Sequence, residues 1–146
     1  MEIREAEEKD LMGLLELYTQ LHNNPMPEMG TILNDLWMGM LNDAGHHVIV
    51  GIIADKIVSS CVLSVIPNLT HSQRPYGLIE NVITDKNHRK KGYATAILNY
   101  AKALAQEKNC YKIMLLTGAK EESTLKFYEQ AGYNPNDKTA FIQWLE

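Results

Sequence analysis

The chain has 146 residues, 45% of them apolar and 22% charged, and a formal net charge of −4. That length holds one domain with a real core, and that composition excludes a disordered chain. No run nears the roughly 18 apolar residues of a membrane span, and the only two cysteines, Cys61 and Cys110, exclude a disulfide scaffold and read as buried thiols.

Ile3-Arg4-Glu5-Ala6 alternates and predicts a short strand. From Lys9 to His22, Leu11, Leu14, Leu15, Tyr18 and Leu21 recur at helical spacing. Asn23 to Pro27 ends that helix, because proline lacks an N–H and restricts its predecessor. A second helical pattern covers Ile32 to Leu41. The period then drops to two. His47 to Ala54 and Lys56 to Ile66 are rich in Val and Ile and predict a hairpin. Pro67 to Pro75 reads as a polar loop, and Tyr76 to Thr84 as a third long strand. Lys91 to Lys108 is an amphipathic helix, and Tyr111 to Thr117 an apolar strand covered on both faces. Glu121 to Ala131 predicts a helix closed by Gly132, and Thr139 to Leu145 a last strand. Strands 76–84 and 111–117 flank a helix and should be parallel neighbours. The expected fold is one α/β domain over 1–146. Its central sheet is mixed and mostly antiparallel, with one parallel β-α-β unit and flanking helices.

The charge is unevenly spread. Residues 86–112 carry seven Lys/Arg and one acid, a balance of +6, against −10 for the remainder. A basic stretch in an acidic protein suits a small polyanion and argues against nucleic acid. The acidic opening MEIREAEEKD is neither a secretory signal nor a transit peptide, so a cytoplasmic location is expected, with no membrane partner.

Between strand 76–84 and its helix, Arg89, Gly92 and Ala94 form R-x-x-G-x-A. The first N–H groups of a helix lack intrahelical partners and carry the positive end of its dipole, so together they hold phosphate. Gly92 permits close backbone approach, Ala94 keeps the first turn clear, and Arg89, Lys90 and Lys91 add charge. Read alone, the same spacing also fits an ordinary βα turn flanked by solvated lysines. It is neither a P-loop nor a dinucleotide fingerprint.

LIENVITDKNHRKKGYATAIL (78–98), CYKIMLL (110–116) and FYEQAGY (127–133), in this order, resemble the GNAT family of N-acetyltransferases. The resemblance covers essentially the whole chain. It implies that acetyl-CoA is the co-substrate, with no metal. Backbone groups of Val82, Ile83 and Thr84 would pair with the pantetheine arm. The main chain of Lys90, Lys91, Gly92, Tyr93, Ala94 and Thr95 would hold the pyrophosphate, with Arg89 buttressing the loop. Tyr128 matches the family tyrosine beside the thioester sulfur. The position seven residues before it, often Asn in the family, is Glu121, and Ser123 is the substitute expected to meet pantetheine. IENVIT and CYKI are similar to the glucosamine-6-phosphate acetyltransferase branch, with Asn81 where that branch has Asp.

Acyl transfer to an amine needs a neutral amine, a stabilised oxyanion and a departing thiolate. Glu80, an acid inside an apolar strand, is the candidate general base, tuned by burial. The N–H near Val82 would face the oxyanion, and Tyr128 would protonate the thiolate. The five histidines show no metal-ligand spacing, and His88 reads as part of the phosphate loop. Met26, Met29, Met38 and Met40 with Trp37 read as core or as an adaptable acceptor pocket. The expected function is an acetyl-CoA-dependent N-acetyltransferase acting on a small-molecule primary amine by direct attack in a ternary complex. An amino-sugar phosphate is the leading acceptor. The alternatives are a protein or peptide amine, or a non-catalytic CoA-binding regulatory module. Phe141, Ile142, Trp144 and Leu145, clustered in the last strand, read as the contact of a homodimer or as the cap of one chain's core.

Overall fold

A computed structural model describes residues 1–22 and 24–145. Asn23, in the turn expected to end the first helix, and Glu146 lie outside the described residues. Five strands run β1 (Glu2–Glu5), β2 (His46–Ile53), β3 (Lys56–Ile66), β4 (Tyr76–Thr84) and β5 (Ile113–Leu115), and they lie side by side in that order. The first three pairings are antiparallel and β4–β5 is parallel. Helices α1 (Leu11–Tyr18), α2 (Thr31–Asn42), α3 (Tyr93–Glu107) and α4 (Glu122–Gln130) complete the chain. The mixed, mostly antiparallel sheet with one parallel unit is the architecture the periodicities predict.

The sheet separates two cores. On one face α1 and α2 bring Leu14, Leu17 and Trp37 against Val48, Val50, Val62 and Ile83. On the other α3 packs Ile97, Leu98 and Ala101 on Ile49, Cys61, Leu63 and Ile79, with Phe127 and Tyr128 of α4 at its margin. Arg4 joins the first core to the sheet edge through a 2.6 Å bond to the buried Asp10 carboxylate. Met26, Met29 and Met38 are exposed, so of the methionine-rich segment only Met40 packs beside Trp37.

Three expectations need correction. The strand read over 111–117 shortens to Ile113–Leu115, because β4 offers it only Gly77–Ile79 as partners. The first helix stops at Tyr18 rather than His22, which takes a left-handed φ of 54°. Residues 139–145 form no strand. Phe141 and Leu145 are 92% and 94% exposed, and an apolar segment without a neighbouring strand has no ladder to join. The 67–75 loop holds a tight left-handed turn at His71, Ser72 and Gln73.

Candidate active site

The site is built where β4 is irregular. Ser60 of β3 pairs with Ile83 and Val62 pairs with Glu80, so Cys61 faces both Asn81 and Val82 across a β-bulge. Asn81 takes the left-handed φ of 52° that absorbs the extra residue. Strict alternation would put Ile83 on the same face as Ile79. The bulge instead sends Ile83 into the α1/α2 core and leaves Ile79 and Val82 on the α3/α4 face. Pairing with β5 ends at Ile79–Leu115, so residues 80–84 have a strand on the β3 side and a bare edge on the other. An edge of this kind exposes N–H and C=O groups to an extended ligand.

The basic loop follows at once. Lys90 and Gly92 both take left-handed φ, 60° and 78°, and the loop curls into the start of α3. Gly92 is the N-cap, with no side-chain cap bond, so the first helical N–H groups stay available. A Cβ on Gly92 would meet nothing within 4 Å. Arg89 Nε donates to the Thr84 carbonyl at 3.2 Å, and Lys91 Nζ to that of Asn87 at 3.2 Å, so two of the cations brace the loop. Beneath them Asp85 is buried. Its carboxylate accepts from Gln20 Nε2 at 3.0 Å, from the Asn87 N–H at 2.9 Å, and meets His88 Nδ1 at 2.9 Å. The bonds from His88 and then Gln20 hold this carboxyl well below the usual carboxylate range.

A cleft of about 440 Å³ joins these parts. Val82, Ile83 and Thr84 form one wall, Arg89, Lys90, Gly92, Tyr93, Ala94 and Thr95 the end, and Thr124, Phe127 and Tyr128 of α4 the other wall. Burial, and more weakly Cys61, push the Tyr128 phenol above its ordinary value, so it keeps its proton through the neutral range. Ten expected residues are thus brought together. Lys91 and Ser123 do not line the cleft; Thr124 stands where Ser123 was expected. Glu121 is the exposed N-cap of α4, and its carbonyl accepts from Thr124 and Leu125. Glu80 is exposed, not buried, and lies opposite Val62 on the α1/α2 face of the bulge. A smaller cavity of about 270 Å³ lies behind Asp85; of its charged lining groups, Asp10 pairs with Arg4 and Lys56 with Asp85.

The acetyltransferase (GNAT) family profile matches residues 4–133. The chain belongs to this family. It is 30% identical over 143 residues to the glucosamine 6-phosphate N-acetyltransferase of Trypanosoma brucei brucei, covering 94% of this chain and 92% of that one. A structure from Agrobacterium tumefaciens strain C58, provisionally assigned as an acetyltransferase, superposes with a TM-score of 0.90 at 36% identity, covering 99% of this chain and all of the other (100%). The glucosamine-6-phosphate N-acetyltransferase of Arabidopsis thaliana shares the fold, with a TM-score of 0.82 at 20% identity over 99% and 98% of the two chains. This GNAT chain is therefore an acyltransferase. Tyr18, read from the sequence only as an apolar helix position, has its phenol pushed up to about 12 by burial. Sequence reasoning missed Asp85 and Gln20, which carry the loop from below. A lone acid before a basic run was the available signal for Asp85; Gln20 had none.

Proposed function

We propose that this GNAT chain transfers the acetyl group of acetyl-CoA to a primary amine of a small molecule, by direct attack in a ternary complex. The observation that carries this reading is the continuity of the cleft. A bare strand edge, a basic curled loop and an uncapped helix start lie end to end along it. An amide-bearing arm suits the β4 edge from Val82 to Thr84, and a pyrophosphate suits the main chain from Lys90 to Thr95. The thioester supplies an activated acetyl group. The rest is this chain's work. The bulge turns the main chain near Val82 so that its N–H can meet a developing oxyanion. Tyr128, on the α3/α4 face, can donate a proton to the departing sulfur. Glu80 lies on the opposite face and can take the amine proton through water. Two substrates approaching from opposite faces of β4 meet at the bulge, which suits direct attack.

An amino-sugar phosphate is the proposed acceptor, supported by the 30% identical relative. The test is release of CoA thiol from acetyl-CoA with a panel holding glucosamine 6-phosphate, glucosamine, an aminoglycoside, spermidine and a short peptide. Glucosamine 6-phosphate is expected to give the largest kcat/KM. Preference for an acceptor without phosphate would overturn the sugar-phosphate reading, and no turnover with any amine would overturn small-molecule transfer.

A further inference from the structure

Gly132 decides where Tyr133 lies. Its left-handed φ of 94° closes α4, and two main-chain bonds complete the turn. The Gly132 N–H donates to the Glu129 carbonyl at 2.9 Å, and the Tyr133 N–H to the Tyr128 carbonyl at 3.0 Å. A helix ended in this way brings the residue after the glycine back against a side chain of its last turn. Here both residues are tyrosines. Their rings meet edge to face, 6.2 Å between centroids and 86° between planes, at the margin of the α3 core. Tyr128 lines the cleft, and Tyr133 stands behind it, outside the lining.

The Tyr133 hydroxyl is buried and has no hydrogen-bond partner among the described residues. Burial, with smaller contributions from Cys61 and Tyr128, pushes its phenol up to about 12, so it keeps its proton and is available as a donor. A buried hydroxyl without a partner destabilises the resting protein, and an acceptor that forms beside it removes that penalty. Tyr128 is the neighbour on which such an acceptor forms. Once it has protonated the departing sulfur, its oxygen is a phenolate in surroundings that already disfavour the charge.

We propose that Tyr133 is a positioning residue for this proton transfer, its hydroxyl donating to Tyr128 Oη as that oxygen becomes anionic. This rests on the reading of Tyr128 as the acid and adds a second group to it. The amine nitrogen bonds to the acetyl carbon and its proton leaves through water to Glu80. The carbon–sulfur bond breaks, its electron pair goes to sulfur, and sulfur takes the Tyr128 proton. The phenolate left behind accepts the Tyr133 hydrogen bond and regains a proton from solvent, while Tyr133 keeps its own throughout. A hydrogen bond made only as the charge develops speeds the chemical step and leaves ground-state affinity for CoA as it was.

The experiment compares wild type, Tyr133→Phe, Tyr128→Phe and the double variant, using whichever amine of the panel above wild type acetylates fastest. It reads the single-turnover rate of CoA thiol release, the CoA dissociation constant and the melting temperature. Phe retains the ring of Tyr133 and its packing. Tyr133→Phe is expected to lose about tenfold in rate, the worth of one hydrogen bond to a charged oxygen. Its CoA dissociation constant should stay within about twofold, and it should melt no lower than wild type, because the hydroxyl it loses had no partner. In the Tyr128→Phe background the same substitution should change the rate by less than about twofold, since no phenolate forms there. A wild-type rate in Tyr133→Phe would overturn the proposal. So would an equal loss in both backgrounds, which would make Tyr133 a packing residue. A Tyr128→Phe protein with the wild-type rate would instead overturn the reading of Tyr128 as the acid.

Discussion

Asp85 gathers four hydrogen bonds, from the Gln20, Lys56 and His88 side chains and the Asn87 N–H, into one buried carboxylate, and this sets its acid behaviour. Its folded pKa is depressed, so the stability it contributes is present above the unfolded value of about 3.9 and is lost only as pH falls through the lower folded value. Asp85→Asn should therefore cost about 2 kcal/mol at neutral pH, since donors that held a charge now face an amide. The gap between the two proteins should narrow below about pH 4. Denaturant melts at about pH 7 and about pH 3 check this; a constant gap would contradict it. Tyr128 makes a different case. It retains its proton, and Phe127 and Tyr133 support its ring at 5.0 and 6.2 Å between centroids. Tyr128→Phe keeps that packing, so turnover should fall roughly 10- to 10²-fold while melting temperature and CoA affinity hold. Glu80 has no packing to lose, being exposed at a strand edge. Glu80→Gln should lower kcat by roughly 10²–10⁴ at neutral pH without changing acetyl-CoA binding. An unchanged rate with the true acceptor would remove Glu80 as the base.

The bulge and the loop work as one element. The bulge at Asn81–Val82 ends the regular face of β4, and two left-handed residues, Lys90 and Gly92, turn the chain into α3. A β-branched side chain at Gly92 meets two penalties. Its φ of 78° is strained for any L side chain, and a branched side chain there would crowd the main chain that lines the cleft. Gly92→Val should lower stability by about 1–2 kcal/mol and weaken CoA binding by roughly tenfold or more. Full CoA affinity in the folded variant would show that the main chain of 90–95 does not hold the ligand.

At the scale of the molecule, the described residues include a run of exposed apolar side chains near the C-terminal end. Phe141, Ile142, Trp144 and Leu145 lie in the C-terminal segment outside the sheet, each between 65% and 94% exposed. Exposed apolar clusters of this size mark contact surfaces. The tail is expected to associate with a second copy, so sedimentation should find a dimer at micromolar concentration, and Trp144→Ser should shift it toward monomer. A monomer throughout would sink that expectation. No described helix is long and apolar enough to cross a membrane.

Local chemistry was enough for the order of elements, the hairpin, the parallel β-α-β unit and the loop R-x-x-G-x-A, because periodicity, glycine and charge are properties of neighbours in the chain. Val82, Ile83, Thr84, Gly92 and Tyr128 were expected together from the resemblance to the GNAT family, and they line one cleft. What the sequence left open depends on residues far apart. The bulge that moves Ile83 to the other core exists only against β3, and the bare edge exists only because β5 stops at Leu115. Gln20 reaches Asp85 across 65 positions of chain, a contact that no local pattern encodes. Residues 139–145 show the converse. They are apolar and aromatic enough for a strand, yet a strand is completed by a partner's hydrogen bonds, and the folded chain supplies none there.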